Sequence, residues 1–159
     1  MTVSLTAKSN NCMVERQRKK SWEDKVSIVK DSYLRSIKDA DFASSFYQNL
    51  FFLKPKIKEY FAHTDFAHQD KALMHGLEFI MGFLDHSNEN ARKQVLRLSH
   101  SHSVHNLKIH PHDYYYWIEG LVMTLKSHDP FWHKDMEYYW REVIFYPVSF
   151  MISQYFVKD

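Results

Sequence analysis

Apolar positions recur three and four residues apart through most of this chain, the period of a helix with one buried face. Val26, Val29, Tyr33 and Ile37 form the first such stripe. Ser21 stands ahead of it as a cap for a helix beginning at Trp22, with Glu23 and Asp24 in the first turn, where carboxylates suit the positive end of the helix dipole. Asp39 or Asp41 caps a second helix through Phe42, Phe46, Tyr47, Leu50, Phe51 and Leu53, and Pro55 breaks it before a short turn ending at Phe61. Thr64-Asp65 opens a third helix, whose stripe of Phe66, Leu73, Leu77, Ile80 and Leu84 runs to about Asp85. After Asn88 to Asn90 a helix is expected from about Ala91 to His102, another from Pro111 to Lys126, and a last one from about Lys134 to Phe156. Pro147 predicts a kink in the last or argues against it. Met1 to about Lys20 has no apolar period and reads as a mobile arm before one folded domain, 21–159.

Composition agrees with an all-α domain. With 159 residues, 45% hydrophobic and 25% charged, the chain can bury one core, and 3 Gly and 4 Pro are too few for the turns of a sandwich or barrel. A single cysteine, Cys12, excludes an internal disulfide or a Cys-rich metal site and points to a reducing, cytoplasmic setting, so any metal would have to use one of 11 His. The net charge of +2 offers no nucleic-acid signature, since the basic run Arg16 to Lys20 is local. Neither a run of eighteen apolar residues nor a signal-peptide core is present, so no membrane role is expected.

Three features do not fit a plain apolar core. Gln69 follows Phe66 by three residues and precedes Leu73 by four, which sets an amide in an apolar stripe. Buried without a partner it would cost about 1–3 kcal/mol, so it meets a protein group or a ligand, unless it sits at the stripe's edge and reaches water. Tyr47 shares a face with Leu50 and Phe51, and its hydroxyl needs a partner there. The run Ser99-His100-Ser101-His102-Ser103-Val104-His105, with His110 and His112, could hold zinc by imidazoles alone, although no carboxylate completes a familiar spacing. Of these, His102 follows Leu98 by four and Val95 by seven, which turns it inward. It is a packed histidine or a ligand to a buried, metal-bearing cofactor.

Together these residues resemble the globin family. Phe46-Tyr47-Gln48-Asn49-Leu50-Phe51 with Pro55 and Phe61 is similar to the B helix, the proline of the C turn and the phenylalanine that wedges against haem. Phe61 to Asp65 with Gln69, Lys71 and Leu73 is similar to the E-helix entry of bacterial single-domain globins. Leu98 and His102, then Leu107, Ile109, Pro111, Tyr114 and Trp117, resemble the F helix, its iron-binding histidine and the start of the G helix, and Asp129-Pro130 and Trp140-Arg141 extend the likeness, which spans about Trp22 to Phe156.

The resemblance implies a globin fold of six to eight helices, three over three around haem b, with iron held by His102. It also implies Tyr47 and Gln69 as donors to the bound gas, and Phe61, Leu73, Leu77, Leu98, Ile109 and Ile118 against the macrocycle. The implied function is reversible binding of dioxygen or another diatomic gas. Two rivals follow from the same likeness: nitric oxide dioxygenation with a separate reductase, none following Asp159, and gas sensing through a partner protein. Peroxidase-like activity and an oligomer are left open. The stretch from His102 to Tyr114 is about two residues longer than in common globins; registering on Tyr114 would put Val104 at the ligand position, and keeps His100 and His105 as alternatives. Flavohaemoglobins polarise the proximal His with a Glu, whereas the matching place here is near Tyr155, and Glu142 comes too early. A second axial ligand from His68 or His75 is set against their spacing from Leu73, which points both off the haem face.

Overall fold

A computed structural model describes residues 20–158. The expected arm, except Lys20, lies outside them. Among the described residues the elements are helical throughout: α1 (Trp22–Ser36), α2 (Phe42–Leu53), a 3-10 turn (Pro55–Phe61), α3 (Phe66–Phe83), α4 (Glu89–His102), α5 (Asp113–His128) and α6 (Met136–Ser153).

The caps explain most boundaries. Ser21 and Asp24 form a reciprocal capping box at α1, the Ser21 hydroxyl accepting from the Asp24 N–H at 3.1 Å. Asp65 caps α3 by accepting from the Ala67 N–H. Asn88 accepts from the Ala91 N–H at 3.0 Å, which starts α4 two residues before the expected Ala91. Asp41 takes the N-cap position of α2 without a side-chain bond, since it is the Asp39 carboxylate that accepts from the Asp41 N–H. Pro111 lies in the turn before α5 rather than inside it, and α6 stops at Ser153, short of Phe156. Helix α6 continues through Pro147, although that residue brings no N–H to the Val143 carbonyl.

Packing is tightest where side chains are smallest. Helix α2 lies on α5, and a Cβ added at Gly120 would come within 3.4 Å of the Leu50 backbone, so glycine sets the approach of the two helices. Helix α3 lies on α4, where a Cβ at Gly82 would come within 2.9 Å of the Ala91 Cβ. Helix α1 closes over α6 and α5, burying Val29 against a core that includes Leu125, Trp140 and Ile144.

Polar groups under α1 are fully engaged. The Ser32 hydroxyl donates to Asp129 at 2.6 Å and accepts from the Trp140 indole at 3.0 Å, while Arg35 binds Asp129 through two nitrogens at 2.7 and 2.8 Å. Burial opposes ionisation of Asp129, but the bonds from Arg35 and Ser32 win and hold its carboxyl below the usual range. A folded value below the unfolded one gives stability present above that range and lost as pH falls through it. No described helix is long and apolar enough to cross a membrane.

Candidate functional site

Between α2, α3, α4 and α5 the helices leave a cavity of about 340 Å3. Its wall is largely apolar, and two polar groupings, one from α2 and α3 and one from α4, stand out in it. Tyr47, Gln69, His102, Phe61, Leu73, Leu77, Leu98 and Ile109 all reach this wall, although they come from three helices, a turn and a loop.

Tyr47 is 5% exposed, in a cage of rings: Phe46, Phe51, Phe61 and Phe66 surround it with centroids 5.2 to 6.0 Å away. These contacts bridge α2, the 3-10 turn and α3 and fix where the phenol points. The Gln69 amide donates to the Tyr47 hydroxyl at 2.9 Å. The amide out of place in the α3 stripe thus has a partner, and the hydroxyl oxygen is engaged as an acceptor while its own proton has no acceptor among the described residues. Burial pushes the phenol up to about 12, against the Gln69 bond, which lowers it, and with the charge of Asp70, which raises it further. It is a neutral donor at any physiological pH.

His102 occupies the last turn of α4, and its Nδ1 lies 2.8 Å from the Leu98 carbonyl and 3.0 Å from the Ser101 hydroxyl. The Ser101 proton is directed at that same carbonyl at 2.7 Å, so the hydroxyl accepts from the ring instead of donating to it. Nδ1 therefore carries the imidazole proton and Nε2 keeps its lone pair, the tautomer that binds a metal through Nε2. Burial holds the imidazole below its ordinary value, against the Leu98 bond.

Other expected residues lie elsewhere. Ile118 is half-buried against the core and outside the wall; Trp117, turned about 100° from it on α5, takes the lining position. His100 is outside the wall, and His105 is exposed in the turn after α4. Val104 gives its N–H to the Tyr155 carbonyl at 3.0 Å, so the longer stretch after His102 is absorbed as a loop folded back on the chain's end. His68 and His75 are exposed on α3 and outside the wall. Glu142 pairs with the buried Lys25 of α1, far along α6 from the proximal loop. No three His, Cys, Asp or Glu residues among those described converge on a point that would hold a metal ion.

The sequence reading missed a charged edge of the same cavity. Asp113, 6% exposed at the start of α5, pairs with Lys54, accepts from the Tyr60 hydroxyl at 3.3 Å and reaches the wall. Lys54 also stands 4.8 Å over the Tyr116 ring. The available signal was that Asp113 precedes Trp117 by four residues and so shares its inward face.

A family model for Globin matches residues 44–148. The chain belongs to the globin family. Among solved structures it is similar to PA3967 from Pseudomonas aeruginosa PAO1, described as structurally highly homologous to a human haemoglobin. The TM-score is 0.76 at 26% identity, over 82% of this chain and 98% of that one. No curated protein matches. Globin membership implies a haem cofactor, and the cavity fits one. Its wall is mostly apolar, as the largely hydrocarbon faces of a macrocycle require, and Gly76 lines it without a side chain. His102, with Nδ1 engaged by the Leu98 carbonyl, is the residue that would hold it, through the unprotonated Nε2.

Proposed function

We propose that this globin reversibly binds dioxygen, or a diatomic gas of similar polarity, at the iron of haem b held by His102. The observation that carries the reading is the Gln69 to Tyr47 bond at 2.9 Å, which leaves the phenol proton free in the cavity wall. Haem, when bound, would supply an iron able to take a gas; the chain's own residues would decide how long the gas stays. Tyr47 donates to the bound gas while Gln69 steadies the hydroxyl, and a hydrogen bond to a partly charged acceptor is worth about 1.5–3 kcal/mol. Phe61, Leu73 and Leu77 keep water from the gas side. A polar acceptor such as dioxygen gains more from this donor than carbon monoxide does.

Reversible binding is favoured over nitric oxide dioxygenation by the partner of His102. Nδ1 meets a backbone carbonyl and a serine hydroxyl, both neutral, whereas a carboxylate there would push electron density toward the iron. The test is the absorption spectrum of the ferric, ferrous and oxygenated forms. We expect an intense haem band and an oxygenated form that persists for minutes without a reductase. A colourless, folded chain that refuses added haem would refute the reading, and rapid loss of the oxygenated form to nitric oxide with efficient re-reduction would favour the enzyme.

A further inference from the structure

The 3-10 turn between α2 and α3 is gripped at both ends by a single carboxylate. Lys54 stands just before the turn and Tyr60 is next to last in it, and both reach across to Asp113 at the start of α5. The Lys54 ammonium binds Oδ1 of Asp113, and the Tyr60 hydroxyl donates to Oδ2 at 3.3 Å. Lys54 meets α5 a second time over the Tyr116 ring, at 4.8 Å. Asp113 is buried whereas Tyr60 is half-exposed, so α5 is the anchor and the turn is the part that is held. The turn needs holding: at seven residues it is longer than such turns usually run, and 3-10 hydrogen bonds are poorly aligned. Its last residue is Phe61, which lines the cavity and packs edge-on to Tyr47 at 5.4 Å and to Phe51 at 5.5 Å.

We propose that Asp113 is a positioning residue for the haem pocket: its carboxylate clasps both ends of the 3-10 turn and so sets how firmly Phe61 is held against the macrocycle. The inference rests on haem occupying this cavity. Two attachment points fix a short segment in place and in rotation, whereas one leaves it free to pivot. Loss of either arm therefore lets Phe61 withdraw and loosens the wall past which haem leaves. Lys54 also neutralises a carboxylate that would otherwise stand bare beside an apolar wall. The clasp has no part on the α4 side, where His102 bonds within its own helix, so it governs retention of haem and not its axial ligation.

Asp113→Ala empties both arms of the clasp, and Tyr60→Phe and Lys54→Met empty one each. With haem bound, its loss to excess serum albumin should speed up about tenfold in Asp113→Ala and about threefold in each of the others, and Tyr60→Phe should add nothing once Asp113→Ala is present. The ferrous spectrum, which reads the His102 side, should stay as in the parent protein. In the chain as purified, amide hydrogen exchange followed by mass spectrometry should quicken over residues 54–62 and not over 100–109. In the first segment Ile57 donates to the Lys54 carbonyl and Ala62 to the Glu59 carbonyl, whereas in the second Ile109 donates to the His102 carbonyl. Where Asp113→Ala does not fold, the two single-arm variants carry the test with their smaller effects. Exchange that quickens equally over 100–109, or an added effect of Tyr60→Phe on Asp113→Ala, overturns the proposal, since a residue that merely stabilises the fold would behave so. Faster exchange in the turn beside unchanged haem loss overturns it alone. A parent chain that refuses haem overturns the gas-binding reading and this proposal with it.

Discussion

The polar groups on opposite sides of the cavity, His102 on one and Gln69 with Tyr47 on the other, are built in opposite ways. On the α4 side everything is local: His102, Ser101 and Leu98 lie within four residues on one helix, and the bond that fixes the imidazole runs to a backbone carbonyl one turn back. On the α2 and α3 side nothing is local: Gln69 and Tyr47 are 22 positions apart, and the phenol is held by rings from three elements. A site assembled within one turn survives small shifts of the helices around it, whereas a site assembled between helices reports each shift. The imidazole should therefore tolerate changes in its surroundings, and the distal bond should not.

The largest expected effect is loss of the one group that no neighbour replaces. His102→Ala should remove axial imidazole from the haem, read from the ferrous spectrum, and His100→Ala should leave that spectrum unchanged. If His100→Ala, and not His102→Ala, altered it, the register of α4 would be wrong despite the Leu98 bond. Next comes Tyr47→Phe, which deletes the donor and keeps the ring cage. Dioxygen release should speed up about tenfold or more, because a lost bond of ~1.4 kcal/mol is a factor of ten. An unchanged rate would mean that the hydroxyl serves the fold alone.

Gln69→Leu should act in the same direction but less, by about threefold, since it loosens the donor without removing it. It should also move the phenol: the Gln69 bond lowers Tyr47 against burial, so its loss shifts the titration further up from about 12. A folded value already above the unfolded one, near 10, gives stability that is full below that pH and lost as pH rises through about 12. The alkaline loss of stability should therefore begin at the same pH in Gln69→Leu but continue to higher pH, so that the total loss is larger than in the parent protein. A phenol titrating lower in Gln69→Leu would contradict this account of what holds Tyr47.

The same contrast governs what the sequence could disclose. His102 was legible because its inward turn follows from Leu98 and Val95 on its own helix, and Gln69 because it broke an apolar stripe on its own helix. That Gln69 and Tyr47 share one site came only with the family resemblance, which implied both as donors to the gas and not Gln69 as a donor to Tyr47, since no periodicity within α2 or α3 says which faces meet. Asp113 and Lys54 went unread for that reason: they are 59 positions apart, and each alone is an ordinary charge at the end of an element. Ile118 illustrates a finer limit. The sequence alone admits either Trp117 or Ile118 on the inner face of α5, and it is Trp117 that lines the cavity.

The smallest effect is the sharpest check on the local half of the site. Ser101 accepts from the imidazole at 3.0 Å and donates to the Leu98 carbonyl, so it is an auxiliary acceptor beside the carbonyl. In Ser101→Ala the Leu98 carbonyl remains, still 2.8 Å from Nδ1 by helix geometry alone, and the tautomer is preserved. Haem affinity and dioxygen release should then change by about threefold or less, near the low end for one neutral hydrogen bond. The ring does gain freedom to rotate about its Cβ, so the iron–histidine vibration in the ferrous spectrum should broaden while its mean position barely moves. A tenfold change in affinity would mean that the carbonyl does not hold the ring by itself, and that the proximal side depends on side-chain partners as the distal side does.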